Sequence, residues 1–341
     1  MTLNRRSALT LGMGAAALTA SETPALAHAA AGTAAPPPDS ATAATPTPTS
    51  GVSDSQLARS LPGSFTSDYA TVNGLRLHYV AGGQGAPLIL LPGWPETWWE
   101  YRKVMPALAA THRVIAVDLR GMGGSDKPAT GYDKKTLADD IYGLIRALGY
   151  DKADVAGHDI GSMVAFSLAA NHPQAVRRIA MLDVLHPDPG YYQIPILPAP
   201  GAPFYPWWFA FNQVQGLPEQ LVVGRARFIV DWMFDHLLVN QNAVTPFDRA
   251  VYANAYNTAD GIRGGNGWYQ TFGQDIADLA AYGKLTVPVL GLVNSLFAPQ
   301  MQATLPTQAD DVRVVEVPDT GHYFVEEQPQ AVIDQFRQFF V

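Results

Sequence analysis

The stretch VAGHDIGSM, residues 155–163, places Asp159 between Gly157 and Gly161. A nucleophile flanked two residues away by small residues is the pattern of a nucleophile elbow. That turn joins a strand to a helix and lifts one side chain clear of the sheet. Serine usually occupies the central position; here it is a carboxylate. A carboxylate that attacks an sp³ carbon displaces a leaving group and forms an ester, which water must then cleave with the help of a base. Histidine serves as such a base at neutral pH. Of the eight histidines, His322 follows the last strand pattern in a loop, the place where a hydrolase chain order puts the base. His78, His158 and His172 read as structural.

A catalytic base needs an acid to orient it. The loop after the strand pattern of residues 287–293 reads Asn294-Ser295-Leu296 and offers no acid. Asp183, at the end of the preceding strand pattern, is the expected partner, with Asp319 as a fallback close to His322 in sequence. The oxyanion of the ester intermediate needs two donors. The backbone N–H of Ile160 is one. The other is expected from Trp94, in the loop LPGWPE after the first buried strand.

The elements that must hold these groups are legible as buried strands alternating with helices. Residues 87–91 (PLILL) and 113–117 (RVIAV) are continuous apolar runs, as strands covered on both faces require. Residues 69–79 form a hairpin pattern around Asn73-Gly74. Further strands are expected at 154–156, 176–182, 287–293 and 312–317, with helices at 101–110, 137–148, 162–171 and 328–340. This alternation predicts an α/β fold, a mostly parallel sheet with helices on both faces. The core is expected over residues 61–184 and 276–341. Residues 185–275 are rich in aromatics and helical in pattern, and read as a cap inserted between two strands, over the carboxyl ends where open α/β sheets bind ligands.

Composition bounds the rest. The chain has 341 residues, of which 48% are hydrophobic and 15% charged, with a net charge of −8. That balance argues against nucleic acid or an anionic membrane as partner. With no cysteine, a disulfide, a thiolate metal site and a cysteine nucleophile are excluded. No H-E-x-x-H motif or phosphate loop is present, so neither metal nor cofactor is expected. The partner implied is a small apolar organic substrate, and a homodimer is compatible with the composition. Arg5-Arg6 precede a mild, alanine-rich apolar run, which resembles a twin-arginine export signal over residues 1–29 and places the protein in the periplasm or outside the cell. The apolar run is too short for a stable membrane span. Residues 30–60, rich in Ala, Pro, Thr and Ser, read as a linker.

The segments GHDIG, LPGWPE, DLRGMGGSDKP and GHYF together resemble the α/β-hydrolase superfamily, and within it the epoxide hydrolase and dehalogenase branch with an aspartate nucleophile. The resemblance spans nearly everything from residue 65 to 341. It implies the aspartyl-ester mechanism and the cap. Haloalkane dehalogenases of this branch usually carry tryptophan after the nucleophile and asparagine in the oxyanion loop, where this chain has Ile160 and Trp94. Fluoroacetate-type enzymes usually carry an arginine after the nucleophile, absent here. The stretch GWYQTF, residues 267–272, resembles the cap motif in which Tyr269 is the ring-opening acid. The second cap donor is not assigned: the usual tyrosine position falls near Phe211, and both Trp207 and Trp208 are expected to line the cap pocket, where either could donate an indole N–H. The resemblance therefore implies epoxide opening to a vicinal diol, with dehalogenation of small organohalides as the alternative. An esterase or lactonase, or a non-catalytic binding member, is a weaker reading. Pro92, where the family usually has histidine, is a departure in the oxyanion loop.

Overall fold

The protein is described by a computed structural model, which describes residues 51–198, 200–201 and 205–341. The export signal expected at 1–29 and most of the linker lie outside those residues. Eight strands form one sheet: β1 Thr66–Val72, β2 Leu75–Gly82, β3 Ala86–Leu91, β4 His112–Val117, β5 Ala153–His158, β6 Val176–Leu182, β7 Val289–Asn294 and β8 Val312–Val317. The spatial order is β1-β2-β4-β3-β5-β6-β7-β8. β1, β2 and β4 pair antiparallel, and every pair from β4 onward is parallel. Asn73 and Gly74 both adopt positive φ, 49° and 78°, as a two-residue hairpin demands.

Among the described residues, four α-helices precede the cap: α1 Asp54–Ser60, α2 Met105–Leu108, α3 Lys134–Ala147 and α4 Ile160–Asn171. Between β6 and β7 come α5 Trp207–Gln213, α6 Leu217–Val222, α7 Ala226–Leu237, α8 Pro246–Ala255, α9 Ala259–Gln270 and α10 Phe272–Ala281. The core resumes with α11 Ala298–Gln308, α12 Phe324–Glu327 and α13 Pro329–Phe339. Leu88, Ile89, Leu90 and Leu91 are fully buried, because helices cover both faces of the parallel strands. α4 is buried nearly all round, consistent with its uniformly apolar sequence.

Two expected boundaries shift. Residues 54–60 do not belong to the linker. Ser53 and Gln56 form a capping box that starts α1, whose Leu57 and Ala58 are buried and whose Asp54 accepts from Trp98 Nε1 at 2.7 Å. The cap does not end at 275 either. Asp275 lies inside α10, which runs on to Ala281 before the chain returns to the sheet.

The cap is pinned to the core by buried polar contacts. Lys134, at the start of α3, donates from Nζ to Asp275 at 2.7 Å and to the Trp268 carbonyl at 2.6 Å, and both charged side chains are fully buried. Arg102 pairs with Asp248 at 2.9 Å and with Glu326. Trp99 Nε1 donates to Asp248 at 2.8 Å. Among the described residues, no helix is long and apolar enough to cross a membrane.

Candidate active site

The carboxyl ends of four neighbouring parallel strands carry three expected chemical groups and one further polar residue. Asp159 follows β5, Asp183 follows β6, Asn294 ends β7, and His322 lies in the loop after β8. Brought together this way, residues far apart in sequence face one cavity of about 460 Å³ beneath the cap. Asp159, Asp183, His322, Trp94, Trp208 and Tyr269 all line it.

The elbow forms because its neighbours allow it. Asp159 has φ 49° and ψ −117°, a conformation that costs a non-glycine residue about 1–3 kcal/mol. A Cβ on Gly157 would come within 2.0 Å of the Gly161 carbonyl oxygen, and one on Gly161 within 2.0 Å of the Leu91 carbonyl oxygen. Glycine is therefore required on both sides for α4 to start this close to the sheet. The carboxylate is 8% exposed, and that exposure is toward the cavity.

The backbone N–H of Trp94 donates to Asp159 Oδ2 at 3.0 Å. Ile160 is the first residue of α4, so its N–H is one of the amides a helix leaves unpaired. Both expected oxyanion donors therefore stand beside the nucleophile. The oxyanion loop is braced from behind, with Gly93 N–H donating to Glu100 Oε2 at 2.9 Å and Tyr256 Oη donating to the Glu96 carbonyl at 2.8 Å.

His322 Nδ1 lies 2.5 Å from Asp183 Oδ2. The expected acid is thus the one the structure supplies, and Asp319 is exposed and makes no such bond among the described residues. With Nδ1 engaged, Nε2 is the ring nitrogen left to act in the cavity. His322 is held further by its own N–H to the Leu237 carbonyl at 3.0 Å and by His158 Nε2, 3.0 Å from its carbonyl oxygen. The loop before it is clamped by Glu327, which accepts from Gly321 N–H at 2.7 Å and from Thr320 Oγ1 at 3.1 Å.

His78, His158 and His172, the three expected to be structural, are each held by polar partners. His78 Nδ1 pairs with Asp118 at 2.7 Å, and His172 pairs with Asp139 at 2.6 Å. His158 sits in a buried group with Glu96 and Glu100, its Nδ1 3.2 Å from Glu100 Oε1 and 3.7 Å from Glu96 Oε2. Burial pushes the Glu100 carboxyl up to about 8 and Glu96 well above the usual carboxylate range, with the neighbouring acid adding to the effect on Glu96. Among the described residues this is a group whose ligand atoms converge, within 4.8 Å of one another.

Tyr269 is 2% exposed and packs edge-on against Trp94, with ring centroids 5.6 Å apart. Burial raises its hydroxyl well above the ordinary value, and the negative charge of Asp159 adds to the shift. It stays a protonated donor. The two tryptophans separate. Trp208 lines the cavity, whereas Trp207 does not: it packs against Trp232 at 5.1 Å and Phe211 at 5.6 Å, inside the cap. Adjacent positions on a helix point about 100° apart, so only one can face the nucleophile.

Asn294 and Tyr191 were not among the expected site residues. Asn294 N–H and Nδ2 both donate to Asp183 Oδ1, at 3.3 and 2.8 Å. Its position at the end of a strand beside the acid-bearing one was the available signal. Tyr191 lines the cavity from a short turn, Pro189–Gln193, and nothing local in its sequence marks it.

The comparisons with known proteins agree with this geometry. A family profile described as "alpha/beta hydrolase fold" matches residues 86–329. The chain is 37% identical over 287 residues to a soluble epoxide hydrolase of Corynebacterium sp. (strain C12), covering 81% of this chain and 97% of the relative. It is 28% identical over 283 residues to a fluoroacetate dehalogenase of Burkholderia sp., covering 79% and 91%. Among solved structures it is similar to the epoxide hydrolase CorEH, with 36% identity, a TM-score of 0.73, and 81% and 99% of the two chains covered. A carboxylate at the elbow, its histidine and acid on neighbouring strand ends, and these matches lead to one conclusion: the chain belongs to the α/β-hydrolase fold family, in its epoxide hydrolase and dehalogenase branch.

Proposed function

We propose that the protein hydrolyses epoxides to vicinal diols through a covalent ester on Asp159. The observation that carries this reading is a mostly apolar cavity holding Asp159, His322 and the Tyr269 hydroxyl together, with no lysine or arginine lining it among the described residues. Asp159 attacks one epoxide carbon. The C–O bond breaks toward oxygen, and Tyr269 protonates the oxygen. The resulting ester carbonyl lies against the Trp94 and Ile160 amides, which receive the oxyanion when water attacks. His322, oriented by Asp183, takes a proton from that water and returns it to the departing diol oxygen.

The same observation disfavours a haloacid substrate. A carboxylate would have to be buried without a cationic partner, which is costly. His186, the other histidine on the cavity, does not supply one: burial pushes it down to about 3, so it is neutral. Dehalogenation of a neutral organohalide is the second reading, favoured by Trp208 and Tyr269 both lining the cavity that Asp159 lines.

The test is the intact mass of the His322→Gln variant after incubation with epoxides, haloalkanes and haloacids. Without its base the ester forms and persists. An adduct of whole-epoxide mass on the Asp159 peptide is expected. An adduct lacking the halogen would reassign the substrate, and a folded protein that takes no adduct would remove Asp159 as nucleophile. The paired arginines and alanine-rich run at the N-terminus support export to the periplasm or beyond; N-terminal sequencing of the protein recovered from a periplasmic extract checks this.

A further inference from the structure

The oxygen that leaves carbon when an epoxide opens carries a developing negative charge in an apolar cavity. One donor satisfies only part of it, and an incompletely paired oxyanion away from water is costly. Asp159, Asp183 and Asp188 on the cavity wall accept rather than donate. Tyr205 is 37% exposed, so its hydroxyl has access to water. Tyr191 differs. Its ring stacks on Phe209, with centroids 5.8 Å apart, and meets Phe272 edge-on at 5.2 Å. Tyr269 packs against the same two rings, at 5.5 Å from Phe209 and 5.2 Å from Phe272. The two tyrosines thus hold one pair of phenylalanines between them, and both line the cavity with Asp159. Neither hydroxyl has a hydrogen-bond partner among the described residues.

We infer that Tyr191 is the second donor to the epoxide oxygen, a role supplied from the turn between β6 and the cap. The inference rests on the epoxide reading above. Burial raises the Tyr191 hydroxyl, and Asp159 is the next cause. Tyr191 in turn contributes to the shift of Tyr269. Both hydroxyls are therefore protonated at neutral pH and sense the same carboxylate. As Asp159 bonds to carbon and the C–O pair moves to oxygen, Tyr269 transfers its proton and Tyr191 donates a hydrogen bond while keeping its own. Hydrolysis of the ester releases one proton from water, which restores Tyr269. The turn is held for this task by Asp188, which accepts from Gly190 N–H at 2.7 Å.

The test separates the two chemical steps. In the His322→Gln background, alkylation by styrene oxide or 1,2-epoxyhexane is followed by intact mass with and without Tyr191→Phe, which keeps both ring contacts. In the protein with His322 intact, single-turnover decay of the ester is measured for the same substitution. Tyr191→Phe is expected to slow alkylation roughly 10- to 100-fold and to leave ester decay unchanged. Tyr269→Phe should slow alkylation further, and the double variant should not be alkylated. Alkylation at the parental rate in Tyr191→Phe, with Tyr269→Phe inert, would overturn the inference and leave the epoxide reading intact. Equal slowing of both steps would assign Tyr191 a purely structural role. Failure of the parent His322→Gln protein to take any epoxide would remove both readings.

Discussion

Asn294 donates twice to Asp183 Oδ1, at 2.8 and 3.3 Å, while His322 Nδ1 meets Asp183 Oδ2 at 2.5 Å. The two oxygens of one buried carboxylate are thereby divided. One is saturated by the neighbouring strand end, and the other is left for the base. Asn294 Oδ1 accepts in turn from the N–H groups of Leu296 and Phe297, at 2.8 and 3.2 Å, so the amide cannot flip without losing bonds. Asp183 itself has φ 68°, strain that is tolerated because its carboxylate is held on both sides.

This arrangement predicts that the acid can be moved. Asp183→Asn should lower kcat by about 10³–10⁴, as loss of the orienting acid does in a hydrolytic triad. Adding Asn294→Asp should restore part of the activity, because the two side chains already meet at 2.8 Å. Pre-steady-state kinetics of ester hydrolysis decides. If the double variant is no faster than Asp183→Asn, the strand-end positions are not equivalent.

The ion pair between Lys134 and Asp275 anchors α10 of the cap to α3. Burial lowers Lys134 and raises Asp275 from their ordinary values, so desolvation outweighs their mutual attraction in both shifts. Lys134→Met should cost about 3–5 kcal/mol by leaving a buried carboxylate unpaired. Lys134→Met with Asp275→Leu should recover most of that loss. Urea unfolding of the three variants measures it. A double variant as unstable as the single would show that the pair is worth more than its desolvation cost.

The buried Glu100 makes stability depend on pH. Its carboxyl is raised from 4.5 to about 8, mainly by burial. Below about pH 4.5 folded and unfolded chains both hold the proton. Between there and about 8 only the folded chain does, so this group's contribution to stability falls as pH rises, then levels off. Glu100→Gln, which can still accept from Gly93 N–H, should lose that dependence and gain about 2–4 kcal/mol relative to the parent between pH 5 and 8. Parallel unfolding curves for the two proteins at both pH values would place the proton elsewhere.

Legibility in the sequence followed the range of the interactions. The hairpin at Asn73-Gly74, the buried strands and the elbow are local patterns, set by backbone sterics and by which residues a covered strand tolerates. α1 is not legible in the sequence, because a single capping box and two apolar residues are a weak signal inside a polar, proline-rich neighbourhood. The end of the cap is obscured for a similar reason: α10 continues the same helical pattern on both sides of residue 275.

By itself the sequence marked Asp159 at an elbow, His322 after the last strand pattern, Asp183 ahead of Asp319 as its partner, and the succession of strands along the chain. A chain order of elbow, strand-end acid and terminal histidine allows few arrangements on a parallel sheet. Only the tertiary structure decided which neighbours those groups meet. Helix rotation turned Trp208 toward the cavity and Trp207 into the cap. Strand pairing between β6 and β7 put Asn294 against Asp183. Packing of Tyr191 and Tyr269 on the same two phenylalanines brought a turn and a cap helix together at the cavity that Asp159 lines. Most of these contacts join different elements, where side-chain direction depends on how whole elements dock rather than on any neighbour in the chain.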